Sequence, residues 1–247
     1  MKISITIPTY NCGKYIRRAL DSILVQQSYF DKEIIVVDGS SNDDTIEILK
    51  SYGDKIRWIS EKDNGQAHAI NKGFKMSSGD VIGWLNADDY YEPDIFEQIS
   101  REFIENDKLV LLYGNCRSID EKDGEIKINI PQKNINYNKL IQNGNYIYQP
   151  ASFYKKEAVV ETDYLDDSLN YWMEYDLFIK LLKFGESKYV SKILANFTIR
   201  EDQKSNKKNI LEMDKELFEI SKKYGGSMYS KVFISNLLRK IKYHLNI

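Results

Sequence analysis

Val81-Ile82-Gly83-Trp84-Leu85-Asn86-Ala87-Asp88-Asp89 decides the reading of this chain: an apolar run of strand length breaks directly into a cluster of oxygen-bearing side chains. A strand that is apolar along its whole length suits a sheet covered by helices on both faces, because neither face meets water. Three earlier runs share the form, Ile3 to Ile7, Glu33 to Val37 and Lys55 to Ile59. Helical patterns separate them, around Arg17 to Leu24, Thr45 to Ser51 and Ala67 to Met76. Strand alternating with helix predicts an α/β fold with a mainly parallel central sheet. Polar loops follow the strands at Thr9 to Asn11, Asp38 to Asp43, Glu61 to Gly65 and Asn86 to Asp89. Open α/β sheets bind ligands at that carboxyl edge.

Asn86, Asp88 and Asp89 suit a hard divalent cation, Mg²⁺ or Mn²⁺, which is held by one or two carboxylates while substrate phosphates complete its shell. A helix N-cap is the competing use of such residues. Asp94, after Pro93, is the better candidate for that cap, and Asp88 beside Asp89 costs a like-charge repulsion that a cation relieves. Asp38, followed by Gly39 and Ser40, can accept the ring N–H and ribose hydroxyls of a nucleoside or can cap its own loop. Tyr10, within Pro8-Thr9-Tyr10-Asn11, can stack on a base or pack as a surface tyrosine. In Asp63-Asn64-Gly65 the glycine allows close backbone approach or closes a turn.

Taken together, these loops make residues 2–205 resemble the family 2 glycosyltransferases, whose GT-A fold is a Rossmann-like nucleotide-diphospho-sugar transferase architecture. The resemblance implies a nucleotide pocket lined by Pro8, Thr9, Tyr10, Asn11, Asp38, Ser40, Asp63 and Gly65. It puts Asn86-Ala87-Asp88 at the family's DXD motif, with Asp88 as metal ligand, Asn86 near the ribose or metal and Asp89 in support. Asparagine at the first acidic position removes one charge. The implied catalytic carboxylate falls in Glu174-Tyr175-Asp176-Leu177, with Glu174 as base and Asp176 as the second candidate; either residue also suits a plain helix start, where negative charge is favoured. An inverting transfer needs one carboxylate to take the acceptor hydroxyl's proton and one cation to neutralise the departing diphosphate. Gln149-Pro150-Ala151-Ser152-Phe153 resembles the acceptor-side strand. Arg200 to Ser205 resembles a segment that closes over the diphosphate, where Arg200 either clamps phosphate through its planar fork or is a solvated surface residue. UDP-sugars are the commonest donors in the family, and a glycan or lipid-linked saccharide of a bacterial surface polysaccharide is the implied acceptor.

At 247 residues the chain is expected to hold one catalytic domain over 1–205 and a helical tail over 206–247. The nucleotide half runs to about 107 and the acceptor half from about 108, with a hairpin turning at Lys122-Asp123-Gly124 and a helix from Trp172 to Leu182. A net charge of -2 supplies no basic stripe for nucleic acid. Cys12 and Cys116 form neither a CxxC pair nor a disulfide framework, which suits a reducing compartment. Ile3, Ile5 and Ile7 stop at Pro8, too short for a signal segment, and no run approaches the roughly 20 apolar residues of a spanning helix. A cytoplasmic protein is therefore expected.

The tail has no acidic residue after Glu219, while Lys222, Lys223, Lys231, Arg239, Lys240 and Lys242 are basic, and Val232, Phe233, Leu237, Leu238, Ile241 and Leu245 recur helically. Such a segment, 227–247, either lies on an anionic inner leaflet or packs on the domain or a dimer partner. Among other classes, a sugar nucleotidyltransferase would show a Gly-rich triphosphate loop after Ile7, and a nicotinamide oxidoreductase a GxGxxG; neither is present. An inactive nucleotide-sugar-binding module is opposed by the retained Asp88 and Glu174. His68 and His244 have no evident nucleophile or metal partner.

Overall fold

The computed structural model describes residues 1–27, 29–201, 203 and 209–245, with the side chains of the last helix followed as far as Leu238. The chain opens with β1 (Lys2–Thr9), α1 (Gly13–Leu24), β2 (Asp31–Asp38), α2 (Thr45–Ser51), β3 (Arg57–Ser60), α3 (Gln66–Met76) and β4 (Val81–Trp84). Strand β1 shows why these elements layer as they do. Ile3, Ile5 and Ile7 are buried in the core on one face, against Ile16, Leu20 and Ile23 of α1. The other face carries the small residues Ser4 and Thr6, also buried. There α3 comes so near that a Cβ on Gly73 would stand 2.2 Å from Thr6 Cγ2, so glycine is the residue that permits the approach.

The second half adds β5 (Tyr90–Tyr91), α4 (Phe96–Glu105), β6 (Leu109–Ile119), β7 (Glu125–Asn129), α5 (Tyr137–Asn143), β8 (Ser152–Lys155), α6 (Lys156–Glu161), α7 (Met173–Leu181) and β9 (Glu186–Thr198). Two helices follow, α8 (Ile210–Lys223) and α9 (Lys231–Leu245). The strand order is β3-β2-β1-β4-β8-β6-β9-β5, with β7 paired to β6. The sheet is mixed, where a mainly parallel one was expected. Pairings β1·β2, β1·β4, β2·β3 and β6·β9 are parallel, whereas β4·β8, β6·β8, β6·β7 and β5·β9 are antiparallel. The difference arises at β8, whose Ser152, Phe153 and Tyr154 are all buried, so its composition does not disclose its direction. A 3₁₀ turn over Gln149–Ala151 feeds it between β4 and β6 against their sense.

Because β1 has β2 on one side and β4 on the other, the order of the sheet reverses at β1, and the crevice outside the ends of β1 and β4 is the place where such sheets take ligands. Glu33 ties this half together from inside: its carboxylate accepts from Ser4 Oγ at 2.7 Å, Ser78 N at 2.9 Å and Arg57 Nη1 at 2.7 Å. Asp94 does not cap the helix after Pro93. It takes a left-handed turn (φ 54°), and α4 starts at Phe96 with Ile95 in the N-cap position. The amide of Ile95 donates instead to Gln26 Oε1 at 3.0 Å.

The C-terminal helices pack on the acceptor half. Ile220 of α8 joins the core around Leu140, Ile141 and Phe178, and Ser221 Oγ donates to Ile141 O at 2.8 Å. Helix α9 lies on α8, with the Phe218 and Phe233 rings 5.6 Å apart and Asn236 Nδ2 donating to Asp214 O at 2.9 Å. Its other face leaves Ile234, Leu237 and Leu238 exposed, next to exposed Met228 and Tyr229. The expected boundary at 205 and half of the segment 200–205 lie outside the described residues, as do the side chains of Arg239, Lys240, Ile241, Lys242, His244 and Leu245. Among the described residues no helix is long and apolar enough to cross a membrane.

Candidate active site

One large cavity, about 1060 Å³, opens at the carboxyl ends of β1 and β4. Its first wall comes from Pro8, Thr9, Tyr10, Asp63, Gly65 and Gln66. The loops bearing these residues are laced together. Asn11, in a left-handed turn (φ 51°), donates its N–H to Ser41 Oγ at 2.7 Å and accepts from Asn42 N at 2.9 Å. Cys12 N donates to Thr45 Oγ1 at 3.0 Å, and Gly13 N to Asp43 Oδ2 at 3.0 Å. A Cβ on Gly39 would stand 2.8 Å from Asp63 Oδ2 and 3.5 Å from the Tyr10 ring, so both groups lie close over the bare backbone there. Tyr10 is 60% exposed, leaving its ring open for a planar ligand to stack on.

Asp38 is fully buried and its carboxylate accepts from Ser41 N at 2.9 Å, from Ser41 Oγ and from Ser60 Oγ at 2.6 Å. It braces its own loop, the second of the two uses open to it in the sequence, and it does not line the cavity. Asn11 and exposed Ser40 likewise belong to the loop behind the wall.

Asn86, Ala87 and Asp88 form the floor. Asn86 Oδ1 accepts from Trp84 Nε1 at 2.8 Å and Gln66 Nε2 at 2.9 Å, which engages its oxygen within the protein. Asp88 keeps a partly exposed carboxylate in the cavity and pairs with Arg200, Nη1 to Oδ2 at 3.1 Å. Asp89 turns the opposite way. It is buried, accepts from Thr198 N of β9 at 2.9 Å, and burial together with the Asp88 charge pushes its carboxyl well above the usual range. Direct ligation by Asp89 is therefore not what the geometry offers; it braces the turn that presents Asp88. Among the described residues no three His, Cys, Asp or Glu side chains gather into a metal cluster. Asp88, a hard oxygen donor open to the cavity, thus fits a cation whose remaining ligands come from phosphate and water.

The far wall belongs to the acceptor half. It carries Asn145, Tyr146, Tyr148, Gln149, Tyr171, Trp172 and Glu174. Glu174, in the first turn of α7, is half-buried, and Asn145 Nδ2 approaches its Oε1 at 3.5 Å. Burial pushes its carboxyl up to about 7; a backbone hydrogen bond opposes the shift, and the charge of Glu216 adds to it. Asp176 does not share this wall. It points to the opposite side of α7, fully buried, against Lys223 Nζ at 3.1 Å, Lys180 Nζ at 3.1 Å and Tyr224 Oη at 2.7 Å. It therefore docks α8 and does not reach the cavity, which corrects the expectation of Asp176 as a second catalytic candidate.

The sequence reading missed the aromatic residues of this wall, Tyr146, Tyr148, Tyr171 and Trp172. Aromatic side chains supply apolar faces with polar edges, a surface that suits sugar rings. Their only signal in the sequence is density, Tyr146 with Tyr148 and Tyr171 with Trp172, on segments without regular periodicity.

Comparison with known proteins agrees with this geometry. The chain is 32% identical over 217 residues to chondroitin synthase of Escherichia coli, covering 87% of this chain and 31% of that protein. It is 32% identical over 209 residues to hyaluronan synthase of Pasteurella multocida, covering 83% of this chain and 21% of that protein. The chain thus spans less than a third of the length of either relative. Among solved structures, S. aureus TarS 1–349 in complex with UDP superposes with a TM-score of 0.71 at 18% identity, covering all of this chain (100%) and 75% of that one. The mannosyltransferase of Pyrobaculum calidifontis with GDP-Man and Mn²⁺ gives 0.64 at 13% identity, covering 98% and 70%. At these identities the likeness establishes the fold. The model of the family described as "Glycosyl transferase family 2" matches residues 4–162, from β1 through α6. The chain belongs to glycosyl transferase family 2.

Proposed function

We propose that this domain moves a sugar, with inversion, from a nucleotide diphosphate sugar onto a hydroxyl of a glycan or lipid-linked saccharide, and that UDP is the preferred nucleotide. The observation that carries this reading is that Asp88 and Glu174, from the two halves of the chain, wall one cavity. Relatives named for chondroitin and hyaluronan synthesis, and structural neighbours solved with UDP and UDP-GlcNAc, support the donor and acceptor classes. Chain synthesis of a bacterial surface polysaccharide is the setting they favour.

In this reading Tyr10 stacks on the base and Asp63 receives polar groups of the nucleoside. Gly65, at the start of α3, lets the diphosphate approach the helix's N–H groups, where negative charge is favoured. Asp88 would hold Mn²⁺ or Mg²⁺, with Asp89 bracing it; when bound, such a cation neutralises charge that develops on the departing diphosphate. Arg200 turns its fork from Asp88 toward phosphate oxygens. Glu174 accepts the proton of the attacking hydroxyl. A carboxyl titrating near 7 suits that task, since a base is most effective when its pKa lies near the working pH. The test is the Glu174→Gln protein, assayed by nucleotide release from a panel of UDP-sugars with glycan acceptors. Loss of transfer with donor binding retained supports the base; undiminished transfer removes it.

The basic tail fits an anionic membrane surface in this same reading. Helix α9 packs on α8 through Phe233 and Asn236, and Val232 is buried beside Gly144 at the end of α5, so one face is accounted for by the domain. Ile234, Leu237 and Leu238 remain exposed beside Lys231, an apolar strip next to positive charge. A lipid-linked acceptor would be met at that surface, on the cytoplasmic leaflet.

A further inference from the structure

The carboxylate of Glu216 on α8 is enclosed by three consecutive backbone amides. Asn170 N donates to Oε2 at 2.9 Å, and Tyr171 N and Trp172 N both donate to Oε1 at 2.7 Å. These amides lie in the irregular segment that leads into α7, and Glu174 stands in the first turn beyond it. Charged hydrogen bonds of this kind are about twice as strong as neutral ones, and three converging on one carboxylate leave a loop few alternative shapes. Two more tethers come from the same helix: Trp172 Nε1 donates to Met213 O at 2.8 Å, and Tyr171 Oη to Glu212 Oε2 at 2.7 Å. Farther along α7, Asp176 is gripped by Lys223 and Tyr224 at the other end of α8.

We infer that Glu216 is a positioning residue for the reaction: through the amides of 170–172 it holds the start of α7 so that Glu174 faces the cavity. Helix α8 is then part of the catalytic apparatus, although it lies beyond residue 162, where the family match ends. The inference rests on the reading of Glu174 as base. It also concerns the two aromatic side chains of the same segment, because Tyr171 and Trp172 line the cavity and move with the backbone that Glu216 holds. The charged group that acts on Glu174 is Glu216 from α8; Tyr154 from β8 is a titratable neighbour that feels the Glu174 charge, and neutral Asn145 faces Glu174 from the segment after α5.

The experiment compares Glu216→Ala and Glu216→Gln with the unaltered protein. Carboxyl-carbon NMR follows the titration of Glu174, its resonance assigned by loss in Glu174→Gln, and nitrogen NMR follows the Trp172 indole. Both readouts are independent of any substrate. The expected result is a Glu174 midpoint moved to lower pH in both variants, with the Trp172 indole displaced in Glu216→Ala and largely restored in Glu216→Gln. Transfer from UDP-N-acetylglucosamine, or from whichever UDP-sugar the panel shows to be turned over, should fall about a hundredfold in kcat for Glu216→Ala with donor KM little changed, the scale expected when a reacting group is misplaced. If Glu216→Ala fails to fold, Glu216→Asp, whose shorter carboxylate cannot reach all three amides, is read for the same indole displacement and fall in kcat. An unmoved indole with undiminished kcat in the folded variants overturns the inference, and a midpoint that moves alone then reports only the lost charge of Glu216. Full transfer by Glu174→Gln would instead overturn the base reading, whatever Glu216 does.

Discussion

Arg200 places Nη1 3.1 Å from Asp88 Oδ2 while its guanidinium lies 4.9 Å from the centre of the Tyr15 ring. The carboxylate open to the cavity floor is therefore met by a cation that a neighbouring aromatic face keeps in place. Tyr15 itself hydrogen-bonds to Glu121 in the hairpin between β6 and β7, so the guanidinium's support ties α1 to that hairpin.

That arrangement makes Arg200 the first residue to change. Arg200→Ala should weaken UDP binding in the presence of Mn²⁺ by about tenfold, the loss of one charge-assisted pair, and Arg200→Lys should recover little because an ammonium has no planar fork. Titration calorimetry measures both. Equal affinity in all three proteins would show that Arg200 serves Asp88 alone.

Glu174 sets the expected pH behaviour. Its carboxyl is raised to about 7, above its unfolded value, so the carboxylate that the proposed base requires appears only as pH rises through that region. The acid limb of kcat/KM should climb about tenfold per pH unit below about 7 and level off above it. The stability sign is opposite: the folded state favours the protonated form, so its contribution is present below the unfolded pKa and is lost as pH rises through about 7. Thermal melts of Glu174→Gln should match the unaltered protein at low pH and exceed it at high pH.

Glu33 behaves in reverse. Burial acts to raise its carboxyl, but the hydrogen bonds from Ser4, Ser78 and Arg57 outweigh burial and bring it to about 2. Its stabilisation is present above the unfolded pKa and is lost as pH falls through about 2. Glu33→Gln should cost roughly 2 kcal/mol at neutral pH and progressively less on acidification. Urea denaturation at a series of pH values measures the difference, and a cost that does not diminish toward acid contradicts the assignment.

Leu237 and Leu238 are exposed on α9, so Leu237→Glu with Leu238→Glu should leave the fold intact. Sedimentation with phosphatidylglycerol vesicles should show binding by the unaltered protein, weakened by salt, and loss of binding by the double variant. Binding that persists in the variant would place the contact elsewhere.

Much of the first half was legible because its rules are local. Ile3, Ile5 and Ile7 demand a buried face, and Asn86-Ala87-Asp88 after an apolar strand marks a ligand edge. What escaped depends on direction. Glu174 and Asp176 are two residues apart, which on a helix turns them by about 200°, so only one can face the cavity, and local pattern does not say which. Asp38 and Asp89 look equally available in sequence, yet each is consumed by donors brought from distant strands or loops, Ser60 for the first and Thr198 for the second. The antiparallel sense of β8 was hidden for a similar reason, since strands buried on both faces look alike in either direction. Glu216 reads as one more charge on an amphipathic helix until the amides of 170–172 are seen around it.

Asp88 is proposed to form a metal-dependent donor site in this cavity. This is tested most directly by calorimetric titration of UDP, GDP and dTDP into the protein with and without Mn²⁺, repeated on Asp88→Ala. UDP is expected to bind in preference to the others, more tightly with Mn²⁺, and the metal dependence is expected to be lost in Asp88→Ala. Absence of binding by every nucleotide under both conditions, or UDP binding indifferent to both Mn²⁺ and Asp88, would contradict it.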